Sequence, residues 1–210
     1  MLPHKPSVLI SRLKLKKRMI QTHPTESCSE PVDLPKAPFE QGYVQVYTGN
    51  GKGKTTAAIG LALRALGAGL PVFIGQFIKQ GAYSEIKALG LLGDRVECRQ
   101  FGRGCWLRGK PKEEDKRLAQ QALKTVHWVF AENCYKVVIL DEIITAQYFG
   151  LITVDDLLDL INRRPKSVEL VLTGRYAPQE IIEAADLVSE MREIKHYYSA
   201  GVMARKGIES

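Results

Sequence analysis

From Tyr43 onward, short apolar runs alternate with longer stretches in which apolar residues recur at helical spacing. Residues 43–47, Tyr-Val-Gln-Val-Tyr, are β-branched and aromatic in character and predict a strand. A glycine-rich turn follows at 48–54, and 55–68 carries Ala, Leu and Arg, all good helix formers. Val72–Phe77 predicts a second strand, 84–92 a helix, and Val96–Phe101 a third strand. A loop over 102–110 leads into a long helix predicted for 113–133. Pro111 stands at its start and Glu113, Glu114 and Asp115 in its first turn, where negative charge meets the positive helix end. Leu118, Ala122, Val126, Val129 and Phe130 line one face of it. Residues 137–140 predict a fourth strand running into Asp141 and Glu142. A short amphipathic helix over Val154–Arg163 is closed by Pro165. A fifth strand at 168–172, a helix at 179–185 and a sixth strand at 187–194 complete the pattern.

Strands separated by helix-length segments predict an α/β fold, a mostly parallel sheet of about six strands with helices on both faces. Right-handed crossovers gather the loops at the strand C-terminal ends into one rim, where chemistry is expected.

The 210 residues are enough for one domain with a substantial core, and 25% charged with 8% aromatic residues excludes wholesale disorder. The apolar stretch 57–75 is interrupted by Arg64, three interior glycines and Pro71, so no membrane span is expected. Cys28, Cys98, Cys105 and Cys134 form no CxxC pair, which suits a reduced, cytoplasmic chain and offers no metal site. The formal charge of +7 is uneven, because residues 1–40 hold seven basic and four acidic side chains, six of the ten prolines and no glycine. That segment reads as a flexible basic tail, an arm that folds over a site, or a transit segment. A basic, proline-rich arm over 1–41 and a domain over 42–210 are therefore expected. With only +4 left to the domain and no stripe of interleaved aromatic and basic residues, nucleic-acid binding is not expected.

The densest chemistry lies in Thr48, Gly49, Asn50, Gly51, Lys52, Gly53, Lys54, Thr55 and Thr56, between a predicted strand and a predicted helix. Gly53, Lys54 and Thr55 satisfy the second half of the P-loop pattern, while Thr48 stands where its first glycine is expected. Such a loop turns backbone N–H groups onto phosphate oxygens, Lys54 adds a point charge, and the Thr55 hydroxyl can ligate Mg²⁺. Asp141 and Glu142, ending an apolar strand, match the second landmark, a carboxylate able to hold Mg²⁺ opposite Thr55. Arg175 and Lys79 follow strands on the same rim and can brace phosphate. The loop at 101–110 adds Arg103, Trp106, Arg108 and Lys110, whereas His127 and His196 suggest structural positions. These residues predict a P-loop NTPase-like, RecA-like domain binding Mg²⁺ and a nucleoside triphosphate, with its second substrate open.

The whole set resembles the P-loop type of corrinoid adenosyltransferase. The resemblance rests on the loop from Tyr47 to Ala58, Gly75-Gln-Phe-Ile-Lys79, Leu140-Asp-Glu142, Leu172-Thr-Gly-Arg175, Ala185-Asp-Leu-Val-Ser-Glu190, Ile194-Lys-His196 and the closing stretch 201–209. It implies that cobalt(I) of a reduced corrinoid attacks the 5′ carbon of ATP and releases triphosphate, the cofactor-like substrate carrying the hard chemistry. It also implies an ATP reversed relative to ordinary P-loop enzymes, with Asn50 toward the nucleoside, and Mg²⁺ on Thr55, Asp141 and Glu142. An electron donor that reduces cobalt and a homodimer belong to the same implication. Some members carry Phe and Trp two apart in the loop after the third strand. Here that stretch reads Gly104-Cys-Trp-Leu107, leaving Trp106 as its aromatic candidate for the corrinoid. The competing reaction class is an ATPase or kinase acting at the γ-phosphate.

Overall fold

A computed structural model describes residues 40–81, 83–103 and 111–209. Its centre is a six-stranded sheet built from β1 (Val44–Thr48), β2 (Val72–Phe77), β3 (Val96–Phe101), β4 (Val137–Asp141), β5 (Glu169–Thr173) and β6 (Leu187–Glu190). The strand order is β3-β2-β4-β5-β1-β6, and every pairing is parallel. The order places β1, which leads into the phosphate loop, between β5 and β6.

Six α-helices accompany the sheet among the described residues: α1 (Lys54–Gly67), α2 (Ser84–Leu89), α3 (Glu113–Glu132), α4 (Ile143–Tyr148), α5 (Val154–Arg163) and α6 (Gln179–Ala184). The pleat divides the apolar residues of each strand between two cores. Val72 and Ile74 of β2, Val137 and Ile139 of β4, and Val171 of β5 pack with Ala58, Ala62 and Ala65 of α1 and Leu89 of α2. Their neighbours Phe73, Phe77, Val138, Leu140, Leu170 and Leu172 face the other way, onto residues of α3, α4, α5 and α6. Strands covered on both sides need apolar residues at every position, which is why β2 and β4 read as continuous apolar runs rather than alternating ones. The small alanines on α1 let that helix lie close to the sheet, and the loop before it is thereby fixed.

The elements depart from expectation in three places, the first being α2, expected over 84–92, which ends at Leu89 before Gly90. Helix α4 was not foreseen, because its opening Ile143 and Ile144 continue the apolar run of β4; both are fully buried. Strand β6 stops at Glu190, since Met191 turns across the phosphate loop instead of extending the strand. Helix α3 starts as its acidic first turn predicts, with the Asp115 carboxylate accepting the Lys112 N–H at 2.9 Å and both arms of the Arg103 guanidinium at 2.6 and 2.9 Å. That hydrogen-bonded ion pair holds Asp115 below the usual carboxylate range against the opposing effect of burial. Cys98 is a free thiol that burial pushes up to about 12.

Among the described residues, no helix is long and apolar enough to cross a membrane. The expected arm at 1–41 and the Trp106 loop fall almost wholly outside the described residues, Glu40, Gln41, Phe101, Gly102 and Arg103 excepted.

Candidate functional site

The phosphate loop leaves β1 at Thr48 and enters α1 at Lys54. Thr48 in place of glycine is explained by its position, for it is still a strand residue, paired with Glu190 of β6. Its hydroxyl accepts the Ala177 N–H at 3.3 Å and its carbonyl accepts the Met191 N–H at 2.8 Å. The left-handed turns fall instead on Gly49 (φ 95°) and Gly53 (φ 124°), where a side chain would be strained. Gly53 caps α1 without any side-chain acceptor, and the first turn of the helix contains no acid. The leading N–H groups of α1 and its positive end are thus directed at the loop, the arrangement that receives an anion.

Lys54 is buried and turned back over the loop, donating to the Gly49 carbonyl at 2.6 Å and the Gly51 carbonyl at 2.8 Å. Desolvation lowers its pKa; Arg175 pushes the same way, and Glu142 and Asp141 oppose. A partly desolvated ammonium held on replaceable carbonyl partners suits a phosphate oxygen. Asn50 and Thr56 are exposed on the loop and on the first helical turn.

Asp141, 1% exposed at the end of β4, is the hub of the rim. One carboxylate oxygen accepts the Thr55 hydroxyl at 2.8 Å and the Thr173 hydroxyl at 2.8 Å. The other accepts the Lys79 ammonium at 2.7 Å and the Gln76 amide at 3.3 Å. Lys79 also reaches the Thr55 hydroxyl at 3.4 Å. Burial disfavours the Lys79 charge, yet Asp141, assisted by Glu142, outweighs it and raises the lysine pKa above its ordinary value. The Thr55 hydroxyl and the Asp141 carboxylate are hard oxygen donors at hydrogen-bonding distance, already facing a cation, so the chemistry of the pair fits Mg²⁺.

Glu142 takes a different direction from Asp141. Its backbone is left-handed (φ 61°), and its N–H donates to the Thr173 hydroxyl at 3.0 Å. Its carboxylate accepts the Thr145 hydroxyl at 2.5 Å rather than facing Thr55. The same Thr145 oxygen accepts the Arg175 N–H at 3.0 Å, linking the end of β4 to the turn after β5. The Arg175 guanidinium is exposed on the rim, close enough to act on the Lys54 charge. The structure therefore joins Lys54, Thr55, Lys79, Asp141, Glu142 and Arg175 on one rim but gives the two carboxylates different partners. Thr173, Thr145 and Gln76 were given no role in the sequence reading, although Gln76 and Thr173 lie inside quoted motifs. His127 pairs at 3.4 Å with Asp159 on the surface, and the His196 ring accepts the Tyr198 N–H at 3.1 Å.

Lys52 points away from this cluster, toward the C-terminal segment. Its ammonium reaches the Ile208 carbonyl at 2.8 Å, the Tyr197 hydroxyl at 3.3 Å and the Glu209 carboxylate at 3.4 Å. Glu209 also binds Tyr197 and Arg205, and those hydrogen bonds, Arg205 foremost, hold its carboxyl well below the usual range. The Gly51 N–H is spent on the Met191 carbonyl at 2.6 Å, so residues 191–209 strap one side of the loop.

Comparison with known proteins gives this rim a family. The family model described as ATP:corrinoid adenosyltransferase BtuR/CobO/CobP matches residues 40–210. A corrinoid adenosyltransferase of Pseudomonas aeruginosa is 36% identical over 177 residues, covering 84% of this chain and 87% of that protein. One of Escherichia coli K12 is 35% identical over 174 residues, with 83% and 88% covered. The corrinoid adenosyltransferase CobA of Salmonella typhimurium is 34% identical over 174 residues, again with 83% and 88% covered. Among solved structures, the flagellar accessory protein FlaH of Methanocaldococcus jannaschii overlaps 71% of each chain at a TM-score of 0.49 and 17% identity. The match contains the phosphate loop, Asp141, Glu142 and Arg175 alike, and the chain belongs to the ATP:corrinoid adenosyltransferase family.

Proposed function

We propose that this transferase moves the 5′-deoxyadenosyl group of ATP to cobalt(I) of a reduced corrinoid, with triphosphate as the other product. The observation that carries the reading is the family match, which extends unbroken over the loop and every rim segment. In the reaction an electron pair of cobalt(I) attacks C5′, a cobalt–carbon bond forms, and the C5′–O bond breaks with its electrons leaving on triphosphate. No base and no hydroxyl acceptor is required. The task of the protein is to hold two reactants in line and to stabilise charge on the departing phosphate chain.

In this reading the N–H groups of 49–56 other than that of Gly51, which Met191 holds, and the Lys54 ammonium receive the triphosphate, and Arg175 braces it from the opposite side. Asn50 faces the nucleoside, and Lys79 serves the phosphate side. Mg²⁺ held by Thr55 and Asp141, with Glu142 behind them, supplies charge neutralisation. Trp106 is proposed as the corrinoid contact. Residues 42–210 are proposed as the catalytic domain and 1–41 as a separate basic arm. The proposed setting is cytoplasmic, as a homodimer served by an electron donor that reduces cobalt, without a nucleic-acid partner.

The test supplies ATP, Mg²⁺ and a chemically reduced corrinoid, and follows both the corrinoid spectrum and the phosphorus products. Triphosphate formed only when reduced corrinoid is present supports the proposal. A methylene bridge between the β and γ phosphates should leave the nucleotide competent as a donor, because no P–O bond is cut. Release of ADP and phosphate would instead assign the chain to chemistry at the γ-phosphate.

A further inference from the structure

The Lys79 side chain lies between the two oxygens that the proposed function gives to the divalent cation. Its ammonium is 2.7 Å from one Asp141 oxygen and 3.4 Å from the Thr55 hydroxyl, which is itself 2.8 Å from the other Asp141 oxygen. With 16% of its side chain exposed against a carboxylate 1% exposed, this is an enclosed ion pair, not a surface contact. The backbone is built to deliver it. Ile78 takes a left-handed turn (φ 61°) directly after β2, a strained conformation for a β-branched residue, and the Ile78 N–H is tied to the Phe101 carbonyl at 3.0 Å. Gly102 packs so closely on the backbone of Ile78 and Lys79 that a Cβ there would come within 2.6 Å of it. Asp141, for its part, is held from behind by Thr173 and Gln76, so its orientation does not depend on the lysine.

We propose that Lys79 is an internal placeholder for the divalent cation, competing for Asp141 and Thr55 and giving way when the metal arrives with nucleotide. A metal ion held by these oxygens would be a second positive charge beside the ammonium, and the two would repel. Free divalent cation must therefore displace a positive charge that is already paired, whereas a metal–triphosphate complex brings anionic oxygens to receive the displaced ammonium. The device makes metal loading dependent on nucleotide and keeps the Asp141 charge neutralised between turnovers. The Tyr83 ring, its centroid 5.8 Å from the Lys79 nitrogen, offers the released side chain a neighbouring aromatic face. This inference rests on the proposed divalent position at Asp141 and Thr55, but not on the identity of the group transferred.

The test is a titration of the full chain with Mn²⁺, a paramagnetic stand-in for Mg²⁺, followed by electron paramagnetic resonance without nucleotide or corrinoid. Lys79→Met, which keeps the length of the side chain and removes its charge, should bind Mn²⁺ roughly tenfold or more tightly than the parent. Lys79→Arg should remain as weak as the parent, and adding Asp141→Asn to Lys79→Met should abolish the gain. Mn²⁺ should also raise the thermal midpoint of Lys79→Met at concentrations that leave the parent unmoved. If Lys79→Met folds poorly without metal, Lys79→Gln, which can still donate to Asp141, carries the same comparison. Equal Mn²⁺ affinity in the parent and the charge-removed variants would overturn the proposal. A chain that releases ADP instead of triphosphate would overturn the adenosyltransferase reading and leave this titration intact.

Discussion

Replacing Lys54 with Met removes one charge from the phosphate loop while keeping the length of the side chain. In the structure the ammonium makes two hydrogen bonds, at 2.6 and 2.8 Å, to loop carbonyls, and desolvation already depresses its pKa. Losing those bonds is unfavourable, but losing a partly buried charge is favourable, so the two effects offset and folding stability should change by no more than about 1 kcal/mol. For a chain of this size that is a shift of roughly 2–4 °C in the thermal midpoint. Catalysis responds differently. Negative charge grows on the triphosphate as C5′–O breaks, and a preorganised cation aimed at developing charge contributes about 3–4 kcal/mol. The expected loss in kcat is therefore about a hundred- to a thousandfold, at saturating ATP and reduced corrinoid. The assay is the spectral change on formation of the cobalt–carbon bond, paired with a thermal melt of the same preparation. A kcat within threefold of the parent, in a variant that melts normally, would refute the role given to Lys54. A collapse of the melt would refute the claim that its two effects on folding offset.

Three other outcomes follow from the geometry. Gly174→Ala places a methyl group 2.5 Å from the Thr145 nitrogen at φ 148°, so urea unfolding should reveal a loss of about 2–4 kcal/mol, with a raised KM for ATP as Arg175 shifts. A stability within 0.5 kcal/mol of the parent would contradict that packing. Because Asp115 is held below the usual carboxylate range, its stabilisation is complete above that range and is lost as pH falls through its folded-state value. The urea midpoints of the parent and Asp115→Asn should therefore stay apart above the ordinary carboxylate range and draw together as pH falls below it, and a constant gap would remove Arg103 as the cause. Glu209→Gln should loosen the strap over the loop, so trypsin should cut after Arg205 and Lys206 faster than in the parent; an unchanged cleavage rate would mean the cluster does not hold the segment.

Periodicity made the sheet legible because strands buried on both faces leave long apolar runs that nothing on the surface imitates. Val72–Phe77 and Val137–Asp141 fall where the pattern predicts them, or within a residue of it, for that reason; Val96–Phe101, a half-buried edge strand that contains Glu97, Arg99 and Gln100, was legible from its position between two turns instead. Helix α4 escaped because six residues provide less than two turns in which a 3.6-residue period can be seen, and its Ile143 and Ile144 extend the strand pattern. In the site, glycines and a lysine before a helix announced the phosphate loop through local chain geometry. The divergence of Asp141 from Glu142 was not legible, since it depends on the hydroxyls of Thr173 and Thr145, which are remote from Asp141 or indistinguishable from ordinary helix residues. Lys52 shows the same limit. Its sequence position in the loop suggests phosphate, whereas its partners come from residues about 150 positions later.

The position of β1 in the sheet has a consequence for how the protein comes into being. The strand that carries the phosphate loop is made before the other five described strands, yet its neighbours are β5 and β6, with Val44 beside Leu170 and Gln45 beside Leu187. During synthesis it waits, unpaired on both edges, while more than a hundred further residues emerge, and closing so long a loop is entropically slow. A nascent chain that has completed β2, β3 and β4 can already pair those three strands with one another, but it has no framework on which to stretch Thr48–Gly53 into a nest for phosphate. ATP should therefore be invisible to the growing chain and act as a late ligand, stabilising only molecules in which first and last strands have met. Nucleotide added to a refolding mixture would then leave the early phase unchanged and trap its final step.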